Sequence, residues 1–164
     1  MSTFPPCLME EARALVAACR ARKILVATAE SCTGGLIGGV ITEIAGSSDI
    51  FDRGFITYSN EAKMELLDVA PSLLKTHGAV SEPVARAMAE GALGHSRADM
   101  AVSVTGIAGP GGGTPDKPVG LVWFGLAHRG GQTIAQEHRF GDLGRHDIRL
   151  ETVRQAIRLL TPTH

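Results

Sequence analysis

Short aliphatic stretches alternate with stretches of helical periodicity through the first two thirds of the chain, and this order constrains the fold more than any other feature. The three aliphatic stretches contain β-branched residues, as buried strands do, and they read KILVATAE (23–30), FDRGFITYS (51–59) and DMAVSVTG (99–106). A fourth apolar stretch, LVWFGLAHRGGQTIAQEHRF (121–140), predicts a hairpin that turns at RGG.

The apolar residues around these strands recur at the spacing of a helix face. The predicted helices span 8–22, Thr33 to Gly46, 60–69, 81–96 and 144–160. Strands that alternate with helices, and are then followed by a hairpin, favour a layered α/β protein. We therefore predict a three-layer α/β/α domain with a mixed, partly parallel sheet of about five strands.

The composition narrows the class of protein further. A chain of 164 residues with 44% apolar and 20% charged residues is typical of one globular domain, which we expect to span 1–164. A net charge of −1 without a basic block argues against nucleic-acid binding. No uncharged apolar stretch approaches the ~20 residues that span a bilayer, and no secretory signal opens the chain. Three cysteines without CxxC spacing indicate reduced thiols, so we expect a cytoplasmic protein without a membrane partner.

The segment AESCTGG (29–35) places a serine where a predicted strand gives way to a predicted helix. Open α/β sheets bind ligands at this point, and the first N–H groups of a helix favour anions. Ser31 could therefore cap the helix, as could Thr33, or it could hold a phosphate or act as a nucleophile. Gly34 and Gly35 argue against simple capping. Glycine destabilises a helix interior, so its presence needs another reason, such as a close approach of the backbone to a ligand.

A serine nucleophile needs a base, and the local sequence around Ser31 supplies none. Position 34 is glycine, which excludes a Ser-x-x-Lys pair, and the chain has no Gly-x-Ser-x-Gly elbow. Of four lysines, only Lys63 follows shortly after a strand end, together with the single tyrosine, Tyr58. Lys63 could equally be a solvated helix residue; beside Ser31, a desolvated lysine with a lowered pKa could accept the hydroxyl proton.

Two further features admit more than one interpretation. The stretch SVTGIAGPGGGTPDKPVG (103–120) could expose N–H groups as an anion nest or an oxyanion hole, or it could be a flexible connection. His138, Asp142 and His146 are interrupted by glycines, so we expect no metal site. Cys32 has no local histidine partner, and we interpret it as a packed thiol that is not the nucleophile.

Five segments taken together are far more specific than any one of them. AESCTGG, GFITYSNEAK, GAVSEPVA, VSVTGIAGPGGGTPDKPVG and GRHDIR follow one another in this order. In these motifs the chain resembles the C-terminal domain family of the competence/damage-inducible protein CinA, in the stand-alone form known as nicotinamide-nucleotide amidases. The resemblance runs from about residue 8 to about residue 160, and we expect the separate N-terminal domain of some members to be absent.

The resemblance implies a function and assigns residues to it. The implied reaction hydrolyses the carboxamide of nicotinamide mononucleotide (NMN), as part of pyridine nucleotide salvage, by a serine mechanism without metal or cofactor. Ser31 would be the nucleophile, Lys63 the base and Tyr58 an assistant at the serine. The expected oxyanion and substrate-binding residues are Thr105, Gly106, Gly34, Gly35 and Arg145.

Assembly and the rival functions stay open at this point. Members of the family are commonly homodimers, and the hairpin and last helix carry more apolar residues than one buried face needs, so we expect a homodimer. One rival function is a non-catalytic nucleotide-binding module, which would bind NMN without releasing ammonia. The other is an amidase for a different small amide, which would depend little on Arg145.

Overall fold

The computed structural model describes residues 2–163, in which five strands form one mixed sheet in the order β2-β1-β3-β4-β5. β1, β2 and β3 are parallel, while β3 with β4 and β4 with β5 are antiparallel. This confirms the predicted fold class. The strands are β1 (Val26–Glu30), β2 (Phe51–Ile56), β3 (Met100–Gly106), β4 (Leu121–His128) and β5 (Ile134–Arg139).

Helices cover both faces of this sheet and produce the three layers. One face carries the first, second and last helices, and the opposite face carries the other three. Residues of β1 alternate between the two cores: Val26 packs into one, and Ala27 and Ala29 into the other. The helices are α1 (Pro6–Arg22), α2 (Leu36–Thr42), α3 (Asn60–Leu67), α4 (Pro71–His77), α5 (Glu82–Gly94) and α6 (Arg145–Leu160).

Two helix predictions were wrong. α2 begins at Leu36 and not near Thr33, because Gly34 and Gly35 have φ angles of +57° and +101° and form a turn before the helix. The helix α4 was not predicted; it begins at Pro71, and proline is well tolerated in the first turn of a helix.

The apolar residues of the hairpin and of α6 are largely buried within one chain. Phe124 in β4 and Ile157 in α6 have no exposed surface, whereas Ile134 in β5 is about half exposed. The apolar surplus that was expected to support a dimer is therefore small, and the dimer stays a prediction. Among residues 2–163, no helix combines the length and the apolar character needed to cross a bilayer.

We predict that Gly91→Ala destabilises the fold. A Cβ at Gly91 would overlap the carbonyl oxygen of Leu67 at the end of α3, so α5 would have to move away from the helix that carries Lys63. The expected loss in the free energy of unfolding is about 1–3 kcal/mol, typical of overpacking.

The matched control is Gly94→Ala in the same helix, where a Cβ meets nothing within 4 Å. This variant should be as stable as the parent or gain up to ~1 kcal/mol from helix propensity. Urea unfolding of the two variants measures the contrast. Equal stability of Gly91→Ala and Gly94→Ala would show that α3 and α5 do not pack this closely.

Candidate active site

The candidate site lies at the edge of the sheet where the three parallel strands end. Ser31 follows β1, Tyr58 follows β2, and Gly106 is the last residue of β3. The Ser31 N–H donates to the Val104 carbonyl at 3.1 Å, which fixes the serine against β3. One pocket at this edge is lined by six of the predicted residues: Ser31, Tyr58, Lys63, Thr105, Gly106 and Arg145.

Ser31 and Lys63 are in direct contact inside this pocket. The distance between Lys63 Nζ and Ser31 Oγ is 3.1 Å, and the same amine donates to the Thr57 carbonyl at 2.9 Å. Ser59 caps α3 by accepting the Ala62 N–H at 3.0 Å, and this cap fixes the helix turn that carries Lys63. The structure thus brings together two residues that are 32 positions apart.

Lys63 is buried, with 1% of its surface exposed, and it has neutral partners only. No carboxylate pairs with it in the described part of the chain. Burial disfavours the charged ammonium and lowers the pKa of Lys63 below its ordinary value. The burial shows that the alternative of a solvated helix lysine is wrong, and the lowered pKa is in the direction that the predicted base role requires.

Cys32 is poorly suited to compete with Ser31 as the nucleophile. Its side chain is buried, and burial raises the pKa of its thiol to about 11. The reactive form of cysteine is the thiolate, so a thiol that stays protonated near neutral pH is a weak nucleophile. This supports the interpretation of Cys32 as a packed neighbour.

Tyr58 and Arg145 meet at the mouth of the pocket. Arg145, the first residue of α6, donates from Nη2 to the Tyr58 hydroxyl at 3.2 Å and from Nη1 to the Gly109 carbonyl at 2.8 Å. Tyr58 is 63% exposed, and the hydrogen bonds described for residues 2–163 join it to neither Ser31 nor Lys63. Its expected assistance at the serine thus has no contact to support it in this state.

The two predicted oxyanion donors face different sides of β3. The Ile107 N–H donates to a β4 carbonyl at 2.9 Å, and the N–H groups of alternate strand residues point to the same side. The Thr105 N–H therefore faces β4, while the Gly106 N–H faces the β1 side, where Ser31 lies. Of the two, Gly106 is therefore the better placed to donate toward the serine, and the oxyanion role of both residues stays a prediction.

Gly34 and Gly35 shape the turn after Ser31 and do not line the pocket. Their positive φ angles place them in the left-handed region, where glycine is favoured. A conformational requirement therefore accounts for the two glycines, and their expected contact with the substrate stays a prediction. Neither Ser31 nor Thr33 caps α2, because its N-cap residue is Gly35.

Glu30 is the residue that sequence reasoning missed. Its side chain is 1% exposed. The carboxylate accepts hydrogen bonds from the N–H groups at the start of α2, which were expected to attract an anionic ligand. An acidic residue at the end of an otherwise apolar strand was the signal that could have revealed it. Its five donors are the Thr28 and Thr33 hydroxyls at 3.3 and 2.7 Å and the N–H groups of Gly35, Ile37 and Gly38 at 3.1, 2.9 and 3.0 Å.

A metal centre was also considered at the sequence level. Within residues 2–163, no three His, Cys, Asp or Glu side chains are grouped so that they could hold a metal ion.

Known proteins with similar sequences fall into one family. The model of the CinA C-terminal domain family matches residues 9–163. A "Putative competence-damage inducible protein" of Symbiobacterium thermophilum is 65% identical over 111 residues, which are 68% of this chain and 26% of that protein. The chain thus spans about a quarter of that relative. "Nicotinamide-nucleotide amidohydrolase PncC" of Escherichia coli K12 is 51% identical over 154 residues, which are 93% of this chain and 92% of that protein.

Solved structures show the same fold. The competence/damage inducible protein CihA from Agrobacterium tumefaciens superposes with a TM-score of 0.95 at 54% identity and covers 98% of this chain and 97% of that chain. The competence damage-inducible protein A from Klebsiella pneumoniae gives a TM-score of 0.89 at 36% identity, with 94% of each chain covered.

We predict that Lys63→Met removes a pH dependence of stability. The folded pKa of Lys63 lies below its unfolded value, so the unfolded chain binds more protons between the two pKa values. Wild-type stability should therefore rise with pH across this window. The stability of Lys63→Met relative to wild type should be highest at low pH and decline as pH approaches the ordinary lysine value of about 10.4.

Urea unfolding across this pH range measures the effect. Lys75→Met on α4 is the matched control, because Lys75 is exposed and its removal should leave the pH profile parallel to wild type. A Lys63→Met profile that also runs parallel to wild type would contradict a lowered lysine pKa.

Proposed function

Because this chain belongs to the CinA C-terminal domain family, we propose that it hydrolyses the carboxamide of NMN to nicotinic acid mononucleotide and ammonia. The observation that carries the proposal is the contact of 3.1 Å between Ser31 Oγ and the buried amine of Lys63. A relative that is matched over 93% of this chain bears the name nicotinamide-nucleotide amidohydrolase, which supports this choice of substrate.

In the first half of the reaction, neutral Lys63 accepts the hydroxyl proton of Ser31 while Oγ attacks the carboxamide carbon. The negative charge that develops on the carbonyl oxygen is stabilised by donors at the edge of β3, of which the Gly106 N–H faces the serine. The Lys63 ammonium then returns its proton to the departing nitrogen, and ammonia leaves. The product of this step is an ester between Ser31 and the pyridine acyl group.

In the second half, water replaces ammonia. Lys63, neutral again, accepts a proton from the water molecule that attacks the ester, and Ser31 recovers that proton as its oxygen leaves. One amide bond and one water molecule are consumed, and one carboxylic acid and one ammonia are formed. Every proton transfer in this sequence runs through Ser31 and Lys63.

We assign the phosphate of the nucleotide to Arg145. This arginine lies at the pocket mouth, and its two described hydrogen bonds go to neutral groups. In the described part of the chain it forms no ion pair, so its charge remains available for an anion. A guanidinium binds phosphate through paired donors, and Tyr58 holds the Arg145 side chain beside the pocket.

The rival functions explain less of the geometry. A binding module would gain nothing from an amine that is buried without a countercharge, since such burial is costly. An amidase for another small amide would not need an unpaired arginine at the pocket mouth. Cytoplasmic location, a role in pyridine nucleotide salvage, a homodimeric assembly and a single domain over 1–164 stay predictions.

Release of ammonia from NMN by the purified protein tests the proposed function. Ser31→Ala should lower the rate by about 10³-fold or more, because the covalent step is lost. Cys32→Ala, at the neighbouring buried position, should remain active and serves as the matched control. A folded Ser31→Ala protein with more than a few per cent of wild-type activity would contradict the serine mechanism. Binding of NMN without ammonia release would indicate a binding module.

Arg145→Ala tests the assignment of the phosphate. A lost charge-assisted contact costs about 1.5–3 kcal/mol, so kcat/KM for NMN should fall by roughly 10- to 100-fold. Nicotinamide riboside, which lacks the phosphate, should be a poor substrate whose rate barely changes in the variant. Equal losses on both substrates would show instead that Arg145 acts by holding the loop at Gly109.

A further inference from the structure

The turn that carries the proposed nucleophile, residues 31–35, has one backbone hydrogen bond of its own, from the Gly34 N–H to the Ser31 carbonyl at 3.1 Å. It joins β1 to α2, and two of its five residues are glycines with positive φ. The N-cap residue of α2, Gly35, has no side chain that could cap the helix. Ser31 nevertheless has to stay within hydrogen-bond distance of Lys63 for the proposed reaction. The Ser31 N–H bond to Val104 fixes only the start of the turn, so further contacts are needed to fix the rest of it.

Glu30 holds the turn and the start of α2 through their donors. One carboxylate oxygen accepts from the Thr33 hydroxyl and from the N–H groups of Gly35 and Ile37, and the other accepts from the Gly38 N–H. These bonds pull the second half of the turn toward the end of β1. They are shielded from water, because 1% of Glu30 is exposed.

Arg149 holds the same turn through its acceptors. Its Nε donates to the Cys32 carbonyl at 3.0 Å and its Nη2 to the Thr33 carbonyl at 3.2 Å. Arg149 lies on α6 four residues after Arg145, but unlike Arg145 it does not line the pocket. Arg149 forms no ion pair within residues 2–163. Its two described hydrogen bonds both go to the turn.

We propose that Glu30 and Arg149 form a clamp that fixes the turn 31–35 and so keeps Ser31 Oγ within reach of Lys63 Nζ. The carboxylate accepts hydrogen bonds from the N–H groups of the turn, and the guanidinium donates hydrogen bonds to its carbonyl groups. Together these bonds restrict the turn to one conformation. Both are positioning residues, since neither lines the pocket. The catalytic half of this inference rests on the proposed amidase function. The structural half, the rigidity of the turn, can be measured without any activity.

The kinetic test uses Arg149→Ala with NMN as substrate. A displacement of about 1 Å at a reacting group costs on the order of 10²-fold in rate, so kcat should fall by about that factor. KM should stay within about twofold, since Arg149 is not placed to contact the substrate. Added ethylguanidinium should restore part of kcat, because it can donate to the vacated carbonyl groups.

Arg154→Ala is the matched control, because Arg154 lies on the same helix and binds Glu11, away from the turn. It should retain wild-type kcat. An Arg149→Ala enzyme with kcat within about threefold of wild type, or one whose loss appears in KM, overturns the positioning role.

Amide hydrogen exchange tests the clamp independently of turnover. In Arg149→Ala and in Glu30→Gln, a peptide that covers 31–38 should exchange faster than in wild type, while a β3 peptide should not change. The Glu30→Gln amide keeps one acceptor oxygen but loses the other, so part of its set of hydrogen bonds is broken. Unchanged exchange over 31–38 in both variants overturns the clamp. If wild type releases no ammonia from NMN, the proposed function fails, and exchange alone decides whether the clamp exists.

Discussion

The burial of the Lys63 amine beside Ser31 is the interaction on which the rest of the site depends. A buried lysine without a countercharge destabilises the folded state whenever it is protonated. Lys63 is nevertheless held in this position, because it lies on a capped helix that packs against the edge of the sheet. Its partners are a hydroxyl and a carbonyl, neither of which favours the ammonium as a carboxylate would. The same arrangement that weakens the fold lowers the lysine pKa, and a lowered pKa is what the proposed role of Lys63 as the base requires.

Glu30 and Lys63, two buried ionisable groups of the site, have opposite environments. Glu30 accepts five hydrogen bonds and organises the backbone around the serine, whereas the hydrogen-bond partners of Lys63 are neutral. Because Glu30 occupies the N–H groups at the start of α2, a bound nucleotide cannot use them for its phosphate. The remaining unpaired cation at the pocket mouth is Arg145, in the part of the chain that the structure describes.

Sheet topology decides how these groups meet. β1, β2 and β3 are parallel, so their carboxyl ends share one edge and bring Ser31, Tyr58 and Gly106 around one pocket. The antiparallel pairing of β3 with β4 then determines that the Thr105 N–H faces β4 and the Gly106 N–H faces the serine. α6 closes the site from the end of the chain, with Arg145 at the pocket and Arg149 on the turn.

The sequence by itself determined the fold class and the strands, because periodicity and aliphatic runs are local properties that the final packing preserves. The motifs also singled out Ser31, Lys63 and Arg145, whose roles stay predictions. Only the tertiary structure decided whether Lys63 is solvated or buried, since its environment comes from residues at the ends of β1 and β2. It also revealed Glu30 and Arg149, whose importance lies in bonds that no spacing rule describes. Arg149 reaches Cys32 across 117 positions of the chain, and only the fold brings such residues together.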